Sequence, residues 1–111
     1  MNAYDAAHEL ARALSCSPEY LEFKAAREEL KKDPEAERML KDLRAKQLEV
    51  EALRLSGKSS EEAEKQLENL FNVVSYHSGI KKYLEAESRF LVLMADIQRI
   101  IARAVDLDDW R

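Results

Sequence analysis

Two glycines and two prolines are too few for a chain of 111 residues that must turn often. Sheet-built domains reverse direction about every 8–12 residues and rely on such residues to do it, so the scarcity argues against a sandwich or barrel and for long helices. Two glycines also exclude a Gly-rich phosphate loop. The single cysteine, Cys16, cannot close an internal disulfide, which fits a reducing compartment. The two histidines, His8 and His77, lie far apart, and neither sits in an HExxH or His-x-His pattern. The Glu-x-x-His pair of metal-binding bundles is missing as well, because Val74 precedes His77 by three residues and Asp5 precedes His8. No apolar run approaches the ~18 residues that a membrane span needs. Met1-Asn2-Ala3-Tyr4-Asp5 lacks the basic start and apolar core of a secretory signal. These absences lead us to expect a soluble, cytoplasmic protein without membrane insertion, catalytic site, metal or other cofactor.

Charge narrows the classes further. The formal net charge is −4, whereas bulk binding to nucleic acid rests on clustered Lys and Arg. From Lys24 to Lys46 eight basic side chains are interleaved with six acidic ones, the pattern of a solvated helix face. Direct RNA binding through Lys31, Lys32, Arg38, Lys41 and Arg44 is therefore the lesser alternative, and no direct nucleic-acid partner is expected.

What the chain has in quantity is charge and aliphatic side chains at helical spacing, with 36% charged and 46% hydrophobic residues. A first helix is expected over 3–14, with Ala3, Ala6, Ala7, Leu10, Ala13 and Leu14 on one stripe. Ser17-Pro18 restarts the chain, since Ser caps a helix and Pro suits its first position. The second helix then runs to about Lys32 with Tyr20, Phe23, Ala26 and Leu30 inward. Asp33-Pro34 repeats the signal and opens a long third helix to Leu55, along which Ala36, Leu40, Leu43, Gln47 and Val50 alternate in steps of four and three. Gly57 suits a C-terminal cap, and Ser59 with Glu62 has the spacing of a capping box. A fourth helix is expected over 60–76, antiparallel to the third. His77-Ser78-Gly79 breaks the pattern, and a fifth helix follows over 80–105 with Ile80, Leu84, Leu91, Met94, Ile97, Ile101 and Val105 in register and Phe90, Leu93 and Ile100 widening the stripe. Such a stripe exceeds the roughly 100° that a surface helix of a small domain buries, so cover from another subunit is expected. Residues 106–111 read as a frayed acidic tail.

Taken in order, Tyr20-Leu21-Glu22-Phe23-Lys24-Ala25-Ala26, Leu30-Lys31-Lys32-Asp33-Pro34-Glu35-Ala36, Gln47-Leu48-Glu49, Tyr83-Leu84-Glu85-Ala86-Glu87 and Asp96-Ile97-Gln98-Arg99-Ile100-Ile101 resemble the YlbF/YmcA family, which includes YheA-like proteins. The resemblance covers about residues 7–105. It implies a small helical bacterial protein of the cytoplasm that self-associates and has no enzymatic activity. In Bacillus, members join YaaT and act with the endoribonuclease RNase Y in mRNA maturation, on which competence, biofilm formation and sporulation depend. Those members carry an iron–sulfur cluster on cysteines, some near the C-terminus. This chain departs from those members there, with Asp106-Leu107-Asp108-Asp109-Trp110-Arg111 holding no Cys, and no cluster is expected in it.

The expectation is one all-α domain over 1–111. It has about five helices, a long antiparallel hairpin and a broad apolar last helix, bundle-like and oligomeric. Its role is that of a non-enzymatic adaptor, with homo-oligomer, sister family proteins and RNase Y as partners. A YheA-like self-assembling protein of undefined role is the alternative. Leu40, Leu43, Gln47, Val50, Leu91, Met94, Ile97 and Ile101 are the residues expected to mediate self-association.

Overall fold

A computed structural model describes residues 1–106. Over them the chain is all-α: α1 (Ala3–Ser15), α2 (Pro18–Lys31), α3 (Pro34–Leu55), α4 (Glu61–Val74) and α5 (Ser78–Ala104), with no strand among the described residues. The helices divide into two compact units. One comprises Ala26–Tyr83, and the other Met1–Ala25 with the chain from Leu84 onward.

The unit of Ala26–Tyr83 holds nearly all of the buried side chains. On α3, Ala36, Leu43 and Val50 are buried at seven-residue intervals, two turns apart, so one narrow face points inward. Ala26 and Leu30 of α2, Ala63 and Val74 of α4 and Ile80 of α5 are buried in the same unit. Outside this core, Lys46 Nζ donates to Gln66 Oε1 at 2.7 Å and Arg54 Nε to Glu64 Oε1 at 2.9 Å, tying α3 to α4. The Arg54 guanidinium thereby holds the Glu64 carboxyl below its ordinary range.

The hairpin closes as its sequence suggests. Gly57 takes φ +73°, which only glycine adopts freely, and the Lys58 and Gly57 N–H groups donate to the Leu53 and Arg54 carbonyls at 3.1 and 3.2 Å. This pair of bonds satisfies carbonyls that the end of α3 would leave without partners.

Three boundaries differ from the sequence expectation. The Ser59/Glu62 capping box does not form, because the cap position falls one residue later, on Ser60, whose side chain makes no capping bond. Glu61, Glu62 and Glu64 instead place negative charge in the first turn, where the helix dipole favours it. Helix α4 stops at Val74, where Tyr76 and His77 donate to carbonyls three residues back rather than four, tightening the chain out of the α-helix. Helix α5 then starts at Ser78 instead of Ile80, because His77 supplies the missing acceptor: its Nδ1 takes the Ile80 N–H at 3.2 Å.

In the second unit, Asn2 Oδ1 caps α1 by accepting the Asp5 N–H at 2.9 Å. Ser17 Oγ caps α2 by accepting from the Tyr20 N–H at 3.2 Å, as expected. Tyr20 and Phe23 flank Phe90 of α5 at ring-centroid distances of 5.5 and 5.6 Å, and Arg89 reaches Glu22 at 3.3 Å. No residue of α1 is buried, and Ala86 is the one buried side chain of this unit among the described residues. The tail expected to fray lies, beyond Asp106, outside the described residues.

Candidate interaction surfaces

Titratable side chains are scattered over the described residues. No three His, Cys, Asp or Glu side chains among them are placed to hold a metal ion, and no helix among them is long and apolar enough to cross a membrane. His8 and Cys16 are exposed on and just after α1. The Sγ of Cys16 is 3.9 Å from the Ser15 hydroxyl, which donates to the Arg12 carbonyl.

The most developed polar arrangement joins two helix starts. Asp33 Oδ1 accepts the Ala36 N–H at 3.1 Å, capping α3, while Asp33 Oδ2 lies 3.1 Å from His77 Nε2. Since His77 Nδ1 accepts from the Ile80 backbone, the ring proton belongs on Nε2, which donates to Asp33. One carboxylate and one imidazole thus cap both α3 and α5 through an unbroken row of hydrogen bonds. The Ala36 N–H and then His77 hold the Asp33 carboxyl below its usual value. The sequence pattern announces the Asp33 cap but places His77 only in the break between two helices, with no role of its own. The local signal for its role is its place immediately before Ser78-Gly79; a partner 44 residues away gives none.

The eight residues expected to mediate self-association fall in both units. Leu43 and Val50 are buried inside the unit of Ala26–Tyr83, so the chain itself covers them. Leu40 and Gln47 are half-buried on α3, and Gln47 Oε1 accepts from Arg44 Nη1 at 3.0 Å. In the other unit Leu91 and Ile101 are 56% and 50% exposed, with Met94 and Ile97 half-buried beside them on α5. Val92 and Ile100 of α5, Val105 just beyond its end and Tyr4 of α1 are also exposed, so this unit presents much uncovered apolar surface. A separate groove of about 460 Å³ runs beside α3 and is closed by Tyr83.

Comparison with known proteins supplies the family. Residues 3–106 match the family described as control of competence regulator ComK, YlbF/YmcA. A UPF0342 protein of Symbiobacterium thermophilum is 46% identical over 106 residues, 95% of each chain. UPF0342 proteins of Caldicellulosiruptor saccharolyticus and Clostridium tetani are 42% and 41% identical over 97% of this chain and 91% and 94% of their own. The match of the family model and the breadth of these similarities show that the chain belongs to the YlbF/YmcA family, named for regulatory control and not for an enzymatic reaction.

Proposed function

We propose that this protein is a non-enzymatic adaptor of the bacterial cytoplasm that acts through protein–protein contacts, and that it self-associates through the unit containing α1 and the later part of α5. The observation that carries this reading is a 13-residue helix, α1, with no buried residue. A helix that short is marginal in water unless tertiary packing covers an apolar face. In the same unit, α5 leaves Leu91, Ile101 and their neighbours exposed. A second copy is the natural cover, because an interface between identical copies must tolerate its own charges. Here both signs of charge are present on each helix: Asp5, Glu9 and Arg12 on α1, and Asp96, Arg99 and Arg103 on α5.

Membership of the YlbF/YmcA family supports a regulatory role, and the resemblance to its complex-forming members supports RNase Y-dependent mRNA processing as the setting. Two measurements test the two halves. Light scattering at micromolar concentration is expected to give a multiple of the chain mass, reduced to one chain by Leu91→Asp with Ile101→Asp while helicity is kept. A wild-type monomer refutes self-association. Affinity purification of the tagged protein from its host is expected to recover RNase Y whether or not nuclease is present; loss of RNase Y on nuclease treatment would mean that RNA bridged them.

A further inference from the structure

A helix start leaves N–H groups without intrahelical acceptors, and at α5 one of them, the Ile80 N–H, belongs to a residue with 0% exposure. Water has no ready access to it, and its acceptor is the Nδ1 of His77 at 3.2 Å. The ring reaches that position by lying over Gly79, where an added Cβ would stand 3.1 Å from His77 Cε1. Ser, Thr, Asp and Asn are the usual capping residues, and each accepts with an oxygen that stays an acceptor in mild acid. An imidazole nitrogen accepts only while it is unprotonated, and an imidazole changes charge within the range in which those oxygens do not. The His77 side chain is 28% exposed. Solvent therefore reaches the ring that titrates but not the N–H that depends on it.

We infer that His77 is a proton-operated cap: the neutral ring closes the first turn of α5 on the Ile80 N–H, and the protonated ring releases that N–H while holding Asp33 as an ion pair. With a proton on each nitrogen the ring has two donors and no acceptor, so its Nδ1–H and the Ile80 N–H would stand donor against donor. The other nitrogen gains by the same step, because its contact with Asp33 Oδ2 at 3.1 Å becomes charge-assisted. Asp33 stays ionised throughout, since the Ala36 N–H and then His77 hold its carboxyl below the usual carboxylate range. Other charged groups on the surrounding elements are turned to solvent or to their own helices. From α2, Leu30 is the neighbour at Gly79, while Lys31 and Lys32 pair with Glu28 and Glu29. On α3, Glu35 pairs with Arg38 and Glu37 is exposed. Helix α4 has no titratable side chain after Glu68, and Tyr76, Lys81 and Lys82, near His77 in the chain, are exposed. Protonation thus exchanges a backbone cap for an ion pair: α3 keeps its start, and α5 loosens at its own. The device is independent of how copies or partners assemble, since His77, Asp33 and Ile80 all lie in the unit of Ala26–Tyr83.

The test uses the isotopically labelled full chain, read by NMR at about pH 8 and about pH 5, the two sides of the imidazole range. At the higher pH the His77 ring is expected as the tautomer with its proton on Nε2. On going to the lower pH, the exchange protection of the Ile80 amide, corrected for the intrinsic effect of pH, is expected to fall about tenfold or more, the scale for a buried N–H that loses its acceptor. The Leu43 amide, in the core face of α3, is expected to keep its protection, which separates local release from global opening. His77→Asn supplies a cap oxygen that does not titrate and is expected to hold Ile80 protection constant across the same range, with circular dichroism like that of wild type. His8→Gln, on α1, is expected to retain the full wild-type loss. A proton found on Nδ1 at the higher pH, Ile80 protection that does not change with pH in the wild type, or an equal loss in His77→Asn overturns the proposal. So does a parallel fall at Leu43, which would mean that the fold opens as a whole.

Discussion

Leu43→Ala separates two uses of the α3 seam, as a core within one chain or as a seam between chains. Leu43 has 0% exposure, and its neighbours on the same face, Ala36 and Val50, are small and β-branched. Neither can swing into the space left behind, so the loss should fall near the middle of the range for buried leucines, about 3 kcal/mol. With roughly 4 °C of melting temperature per kcal/mol in a chain of this size, that is a fall of about 12 °C. Thermal melts followed by circular dichroism at two protein concentrations about twentyfold apart read the distinction, because association stabilises by mass action and a core within the chain does not. The deficit of Leu43→Ala is expected to be the same at both concentrations. Ile101→Ala, half exposed on α5, is expected to melt close to wild type when concentrated and further below it on dilution. A Leu43→Ala deficit under about 1 kcal/mol, or one that appears only on dilution, would refute the placement of Leu43 in the chain's own core.

Three further outcomes follow from the helix caps and the α3 surface. At Gly79 an added Cβ would lie 3.1 Å from His77 Cε1 and 3.4 Å from Nδ1, against a ring held at both nitrogens. Gly79→Ala is therefore expected to lower the melting temperature despite the better helix propensity of alanine, and to raise it in a His77→Ala background; a gain in both backgrounds would show that the ring is free to move. Asp33 and Glu64 both have depressed carboxyl values in the fold. Their contribution is complete above the unfolded carboxylate range near pH 4 and is lost as pH falls through the lower folded values, so acid unfolding should set in below roughly pH 4 and be blunted in Asp33→Asn with Glu64→Gln. A transition centred above pH 5 contradicts the assignment. Gln47→Leu exchanges one half-exposed hydrogen bond with Arg44 for apolar surface and is expected to change stability by no more than about 0.5 kcal/mol. Its mass by light scattering should equal that of wild type; a changed mass would make Gln47 a determinant of assembly.

Signals that act within a few residues are legible in the sequence alone. Ser17-Pro18, Asp33-Pro34 and Gly57 place three of the helix ends because a cap is chosen by the orphan N–H or C=O groups beside it. The seven-residue interval of Ala36, Leu43 and Val50 likewise announces one buried face, since two turns return a helix to the same side. What faces that stripe is another matter. A periodic apolar face reads alike whether the cover is the same chain or a second one, and tertiary structure decided that Leu43 and Val50 are covered from within while α1 and much of α5 are not. It also decided the role of His77, whose ring joins the starts of α3 and α5 only because folding brings Asp33 within 3.1 Å of it. The groove beside α3 has the same origin: Leu48 and Lys41 read as surface residues of a charged helix until Tyr83, remote in sequence, walls them into a concave surface.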